Sequence, residues 1–126
     1  MIYLINEGYE DVEWYDHSKV IDAFLLRSNA EKKIKELQDL LQKTIDINGL
    51  INNFYQEWIK ENTYPIQDTI GIDRFTARNN WQMKWNLVRD EKRVLLETEA
   101  NLPVGSTKDN MYGISYFITE IGLSDL

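Results

Sequence analysis

Residues 28–61, SNAEKKIKELQDLLQKTIDINGLINNFYQEWIKE, are the one long run with helical periodicity, and they constrain the fold more than any other stretch. Ser28 followed three residues later by Glu31 reads as a capping box, in which hydroxyl and carboxylate each take an orphan amide of the first turn. Ile34, Leu37, Leu41 and Ile45 are spaced three, four and four residues apart, which lines them on one face. Lys32, Lys33, Lys35, Glu36, Asp39 and Lys43 occupy the other side. Past Ile45 the apolar set Ile47, Leu50, Ile51, Phe54 and Trp58 centres roughly a quarter-turn away, counting about 100° per residue. Asn48-Gly49 lies at that change, and Gly costs about 1 kcal/mol in a helix interior. The expectation is one long helix, kinked or broken there, with Phe54 and Trp58 in the core.

Around this helix the chain reads as strand and turn. Ile2 to Ile5 opens the domain as a strand, and Lys19 to Leu26 alternates as its hairpin partner. In WQMKWNLV, Trp81, Met83, Trp85 and Leu87 fall on one side of an alternating pattern. Asp90-Glu91 then serves as a turn and Val94 to Thr98 as a return strand. Residues 101–113, with two glycines and a proline, read as a loop, and Ile114 to Ile121 alternates again as the closing strand. The fold class expected is α+β: an antiparallel sheet of about five strands in the order ββαβββ, with the helix on one face. Trp81, Met83 and Trp85 would be the inner side of the second hairpin. At 126 residues and 43% hydrophobic, the chain is expected to form a single domain, 1–126, with its own core.

The opening IYLINEGYED, the returning VIDAFLL, the helix start SNAEKKIKEL and the closing YFITEIGL resemble a group of small uncharacterised proteins from bacteria and their phages. In that group an N-terminal β-hairpin leads into a helix written S-x-A-E-K. The resemblance covers residues 1–45 and 114–123; it implies a prokaryotic or phage origin and supplies no catalytic residues to transfer.

Several functions are excluded or constrained by content. No apolar run approaches the ~20 residues of a membrane span. The start MIYLINEGYED lacks a basic segment followed by an apolar one, so it is not read as a signal peptide. A cytoplasmic location, in a bacterial or infected host cell, is the default. With no cysteine, disulfides and thiolate metal sites are out. The net charge of −7 argues against indiscriminate nucleic-acid binding. That charge is uneven: residues 1–16 hold five acids and no base, whereas residues 71–93 hold six bases against three acids.

Glu10, Asp11, Glu13, Asp16 and the sole histidine, His17, match neither a calcium loop nor a paired-His spacing, and a solvated hairpin tip explains them. No metal and no cofactor is expected. Gly105-Ser106-Thr107-Lys108 resembles a phosphate loop but lacks the earlier glycine and a clear helix start, so it reads as a turn. No serine has a nucleophile-elbow context, and no catalytic residues are assigned. Arg74, Arg78 and Lys84, near Trp81 and Trp85, could hold a nucleotide, another phosphorylated molecule or a nucleic acid.

The segment with Tyr9, Glu10, Asp11, Glu13, Trp14 and Tyr15 combines rigid rings with acidic charge, the composition of a protein-binding hot spot. The functional expectation is therefore a non-enzymatic protein-binding protein, acting through that tip on a basic or nucleic-acid-handling partner protein. Its sharper form is an anti-CRISPR-like inhibitor of a host defence machine. The alternative is the phosphorylated-ligand module at residues 74–93.

Overall fold

The computed structural model describes residues 1–9, 17–65, 72–108 and 113–122, with the side chains of residues 17, 72 and 73 left aside. Its elements are β1 (Ile2–Tyr9), β2 (His17–Phe24), α1 (Arg27–Glu61), α2 (Ile72–Glu99) and β3 (Ile114–Ile121). The class is α+β, but the expected five strands around one helix are not found. The described chain holds a three-stranded antiparallel sheet and two helices.

The error lies in residues 72–99. The apolar alternation Trp81, Met83, Trp85, Leu87 also contains a helical stripe, since Trp81, Trp85, Val88, Lys92 and Leu96 are four, three, four and four residues apart. Residues 77–97 are dominated by helix formers, with few β-branched residues. Asp90-Glu91, taken as a turn, carries no Gly, Pro or Asn, so nothing there forces a reversal. Met83, expected inside, is exposed, whereas Trp85 is buried.

The helix α1 runs unbroken through Asn48-Gly49. Its start also differs from the expectation. Leu26 accepts the Ala30 amide at 3.3 Å, which makes Leu26 the capping residue and puts Ser28 inside the helix. Glu31 pairs instead with Arg27 at 3.0 Å.

Two compact units divide the chain, Met1–Thr44 with Asn110–Leu126, and Ile45–Asp109. In the first, the strands run in the order β2-β1-β3, with Ile5 opposite Ile118 and Asn6 opposite Phe117. Ile5 and Ala30 are fully buried. An Arg27–Glu120 pair ties the helix start to the sheet face that carries Ile5 and Ile118. On the opposite face the Asn6 amide donates to the Thr119 hydroxyl at 3.0 Å.

In the second unit, Ile47, Ile51 and Trp85 form the buried centre, with Phe54, Tyr55, Trp58, Leu96 and Leu102 packed around it. Trp85 lies 4.9 Å from Tyr55, 5.2 Å from Trp58 and 5.9 Å from Phe54, centroid to centroid. The helix α2 stops by a Schellman arrangement. Leu102 donates to the Glu97 carbonyl and Asn101 to that of Thr98, with Asn101 left-handed at φ 58°. Pro103 then prevents further helix.

Candidate functional site

Of the six acidic-tip residues, Glu10, Asp11, Glu13, Trp14 and Tyr15 lie outside the described residues. Tyr9 ends β1, where its hydroxyl donates to Glu7 and Lys19 sits 5.7 Å over its ring. Glu7 faces Tyr116 across the β1–β3 ladder. Burial first, and then the Glu7 charge and hydrogen bond, push the Tyr116 phenol up from its ordinary range. Tyr9 is thus engaged with its own sheet.

The alternative set lies on α2. Arg74, Arg78, Trp81 and Trp85 are spaced four, three and four residues apart, so the helix places them on one stripe. That stripe meets the C-terminal end of α1, whose last carbonyls have no partner within the helix. The Trp81 indole donates to the Asn62 carbonyl at 2.7 Å, and Lys84 to the Asn62 side-chain oxygen at 2.8 Å. Arg78 donates to the Pro65 carbonyl at 3.3 Å and lies 5.4 Å over the Tyr64 ring. Positive charge is favourable at a helix C-terminus. Much of the basic-aromatic segment is therefore explained as a cap on α1. Among the described residues, no carboxylate pairs with Arg74, Arg78 or Lys84.

Two depressions flank the aromatic centre. One, of about 340 Å³, is lined by the amides Asn48, Asn52 and Gln82 together with Ile51, Tyr55, Trp81 and Trp85. The other, of about 470 Å³, is lined by Phe54 of α1 and by Val88, Glu91, Lys92, Val94, Leu95 and Thr98 of α2. Within it Val94 is 41% exposed and Leu95 51% exposed. Sequence reading missed this groove because a strand would have divided these residues between two faces, whereas a helix gathers them.

A third feature, the Gly105–Lys108 segment, is a turn whose amides already hold an anion. Glu97 is fully buried and accepts from the Gly105 amide at 2.8 Å, the Thr107 amide at 2.9 Å and the Thr107 hydroxyl at 2.7 Å. Burial alone would raise its carboxyl. The two amides, the hydroxyl and the Arg93 charge outweigh that and hold it below the ordinary carboxylate range. A phosphate has no place in this cradle, because a side chain of the protein fills it.

Among the described residues, no group of three or more His, Asp or Glu side chains gathers as metal ligands, and no helix is long and apolar enough to cross a membrane. Fold and site together define a small α+β chain with an apolar groove beside a helix-capping aromatic cluster.

No protein-family model matches the chain, and no solved structure is similar to it. Over 123 residues, 98% of the chain, it is 25% identical to Autophagy-related protein 2 of the yeast Kluyveromyces lactis. The chain spans 8% of that relative's length. At this level the similarity assigns neither a family nor an activity.

Proposed function

We propose that the chain is a non-enzymatic protein-binding module that works by occupying a partner protein. The observation that carries this reading is the apolar groove between Phe54 and α2, lined by the exposed Val94 and Leu95. Contiguous exposed aliphatic side chains are disfavoured on a surface with no contact to make. From Val88 to Thr98 the groove runs about 15 Å, nearly three turns of helix, and an amphipathic helix laid into it would cover its apolar length. Glu91 and Lys92 line it together and Asp90 is paired with Arg89, so the wall itself is balanced; the chain's overall −7 is what favours a basic-flanked helix as the occupant. A nucleic-acid-handling protein of a bacterium or phage host is a partner of that kind, and antagonism of a defence machine is the sharper form of the proposal.

The test compares proteins retained from bacterial lysate by three forms of the chain. These are the wild type, a Val94→Glu/Leu95→Glu variant, and a variant with Glu10, Asp11 and Glu13 replaced by amides. A partner kept by the wild type and lost from the groove variant supports the reading. Loss from the amide variant alone moves the contact to the acidic tip. Equal retention by all three overturns both.

A second reading, a module for a nucleotide or other phosphorylated molecule, is favoured by one observation. The amide-lined cleft contains Gln82 one turn beyond Arg78, whose charge no carboxylate among the described residues offsets. A base could lie against Trp81 while its phosphate meets Arg78. Tryptophan emission should then change on nucleotide addition, and Arg78→Ala should abolish the response. A flat titration removes this reading.

A further inference from the structure

We propose that β3 pairs with β3 of a second copy of this chain, joining two three-stranded sheets into one of six strands. The sheet has two edges, and they are built differently. At the β2 edge the register shifts between Ile5 and Asn6, leaving Ile21 as an extra residue. Lys19 of this strand is exposed, its amine 3.9 Å from Glu7, and the Asp22 carboxylate takes the Ala23 amide at 2.8 Å. A bulge, a lysine and an amide already engaged are the usual ways a strand edge is protected from further pairing.

None of these guards β3. Its eight residues, ISYFITEI, pair with β1 without a register break and contain no proline, lysine or arginine. Its single carboxylate, Glu120, is taken up by Arg27. Phe117 leans on Gly8, where an added Cβ would meet its ring at 3.3 Å, yet it remains 41% exposed. Among the described residues, a regular edge of this length presents a row of backbone donors and acceptors with no strand paired along it.

The occupant is a second copy because the strand is complementary to itself. In an antiparallel pair, opposed residues lie on the same face. A two-fold pair is therefore centred on a residue, never between two. Centred on Phe117, the open face would set Phe117 against its own mate and Ser115 against Thr119 of the second copy. The face that carries Ile5 would set Tyr116 against Ile118 and Ile114 against Glu120. Three of the four are an aromatic pair, a hydroxyl pair and an aromatic–β-branched pair, classes that stabilise antiparallel ladders; the fourth sets Ile114 against Glu120, and no like charges are opposed. A closed two-fold contact of this kind also leaves no further copy of the edge to recruit.

The test uses the full chain, which has no cysteine of its own. Sedimentation of the wild type should show a dimer that dissociates on dilution. Opposed residues in such a ladder sit about 5 Å apart at Cα, within reach of a disulfide. Phe117→Cys should therefore cross-link to itself under mild oxidation, well ahead of Val20→Cys on the other edge. A mixture of Ser115→Cys and Thr119→Cys should cross-link faster than either alone, which reads the register without altering Phe117. The proposal is overturned by a wild type that stays monomeric at every concentration. It is equally overturned if Val20→Cys links fastest, or if the mixture links no faster than its components.

Discussion

Arg93 and Glu97, one turn apart on α2, meet on the same hydroxyl: Thr107 accepts from Arg93 at 3.0 Å and donates to Glu97 at 2.7 Å. Arg93 also donates to the Thr107 carbonyl at 2.9 Å and to Asn48 of α1 at 2.8 Å. A single network thus fastens the 101–108 turn to both helices of its unit. A buried charge is tolerated only when its hydrogen-bonding capacity is filled, and here the turn's own backbone fills it.

Glu97→Gln keeps the shape but leaves a buried group mispaired, so a loss of about 1–3 kcal/mol is expected in denaturant unfolding. The native carboxyl is held below its ordinary value. Its contribution is therefore complete above an unfolded-state value of about 4.3 and lost as the pH falls through the lower native value. The wild type should lose stability on acidification through this window, and the variant should lose less. Parallel curves for the two proteins would detach Glu97 from acid unfolding.

Gly49 sits mid-helix in α1 with nothing within 4 Å of where a Cβ would stand. Gly49→Ala should raise stability by about 1 kcal/mol, the ordinary helix-interior difference between the two residues. A lowered unfolding midpoint would mean that the glycine answers a need the packing does not reveal.

Ser28 lies one residue inside α1 and is exposed. Away from a cap, Ser28→Ala should change stability by no more than about 0.5 kcal/mol. A loss near 1 kcal/mol would return the cap to Ser28.

Trp85 is buried against Phe54, Tyr55 and Trp58. Trp85→Ala should cost about 3–5 kcal/mol, a cavity that neighbouring rings cannot close. Urea titration followed by backbone circular dichroism measures this; a shift under 1 kcal/mol would place the core of the unit elsewhere.

How legible these features were depended on whether one residue pattern admitted one period or two. Ile34, Leu37, Leu41 and Ile45 match only a helix, and α1 is where they place it. Ile114 to Ile121 alternates without a helical stripe and forms β3. Trp81, Met83, Trp85 and Leu87 satisfy both periods. Between them and Val94, Asp90 is a turn residue without a Gly, Pro or Asn beside it, a signal too weak to separate the two periods. The helix stop was written in Asn101 and Pro103, a left-handed residue and a helix breaker in sequence. The groove could not be read until α2 was a helix, since its residues share a face only at 3.6 residues per turn. The Glu97 cradle was beyond reach, because no local pattern announces that a carboxylate will find amides eight and ten residues ahead.

The three described indoles form one touching set, Trp58 lying 5.4 Å from Trp81 and 5.2 Å from Trp85. Rings at such separations do not absorb independently; their transitions couple, and the coupling depends on mutual orientation. The coupled component of the aromatic circular dichroism from these three indoles should therefore report on residues 45–109. Loosening of the helix pair would extinguish an exciton signal that loss of β-structure leaves untouched. The molecule thus carries a built-in optical gauge by which melting of the helical unit can be timed apart from that of the sheet.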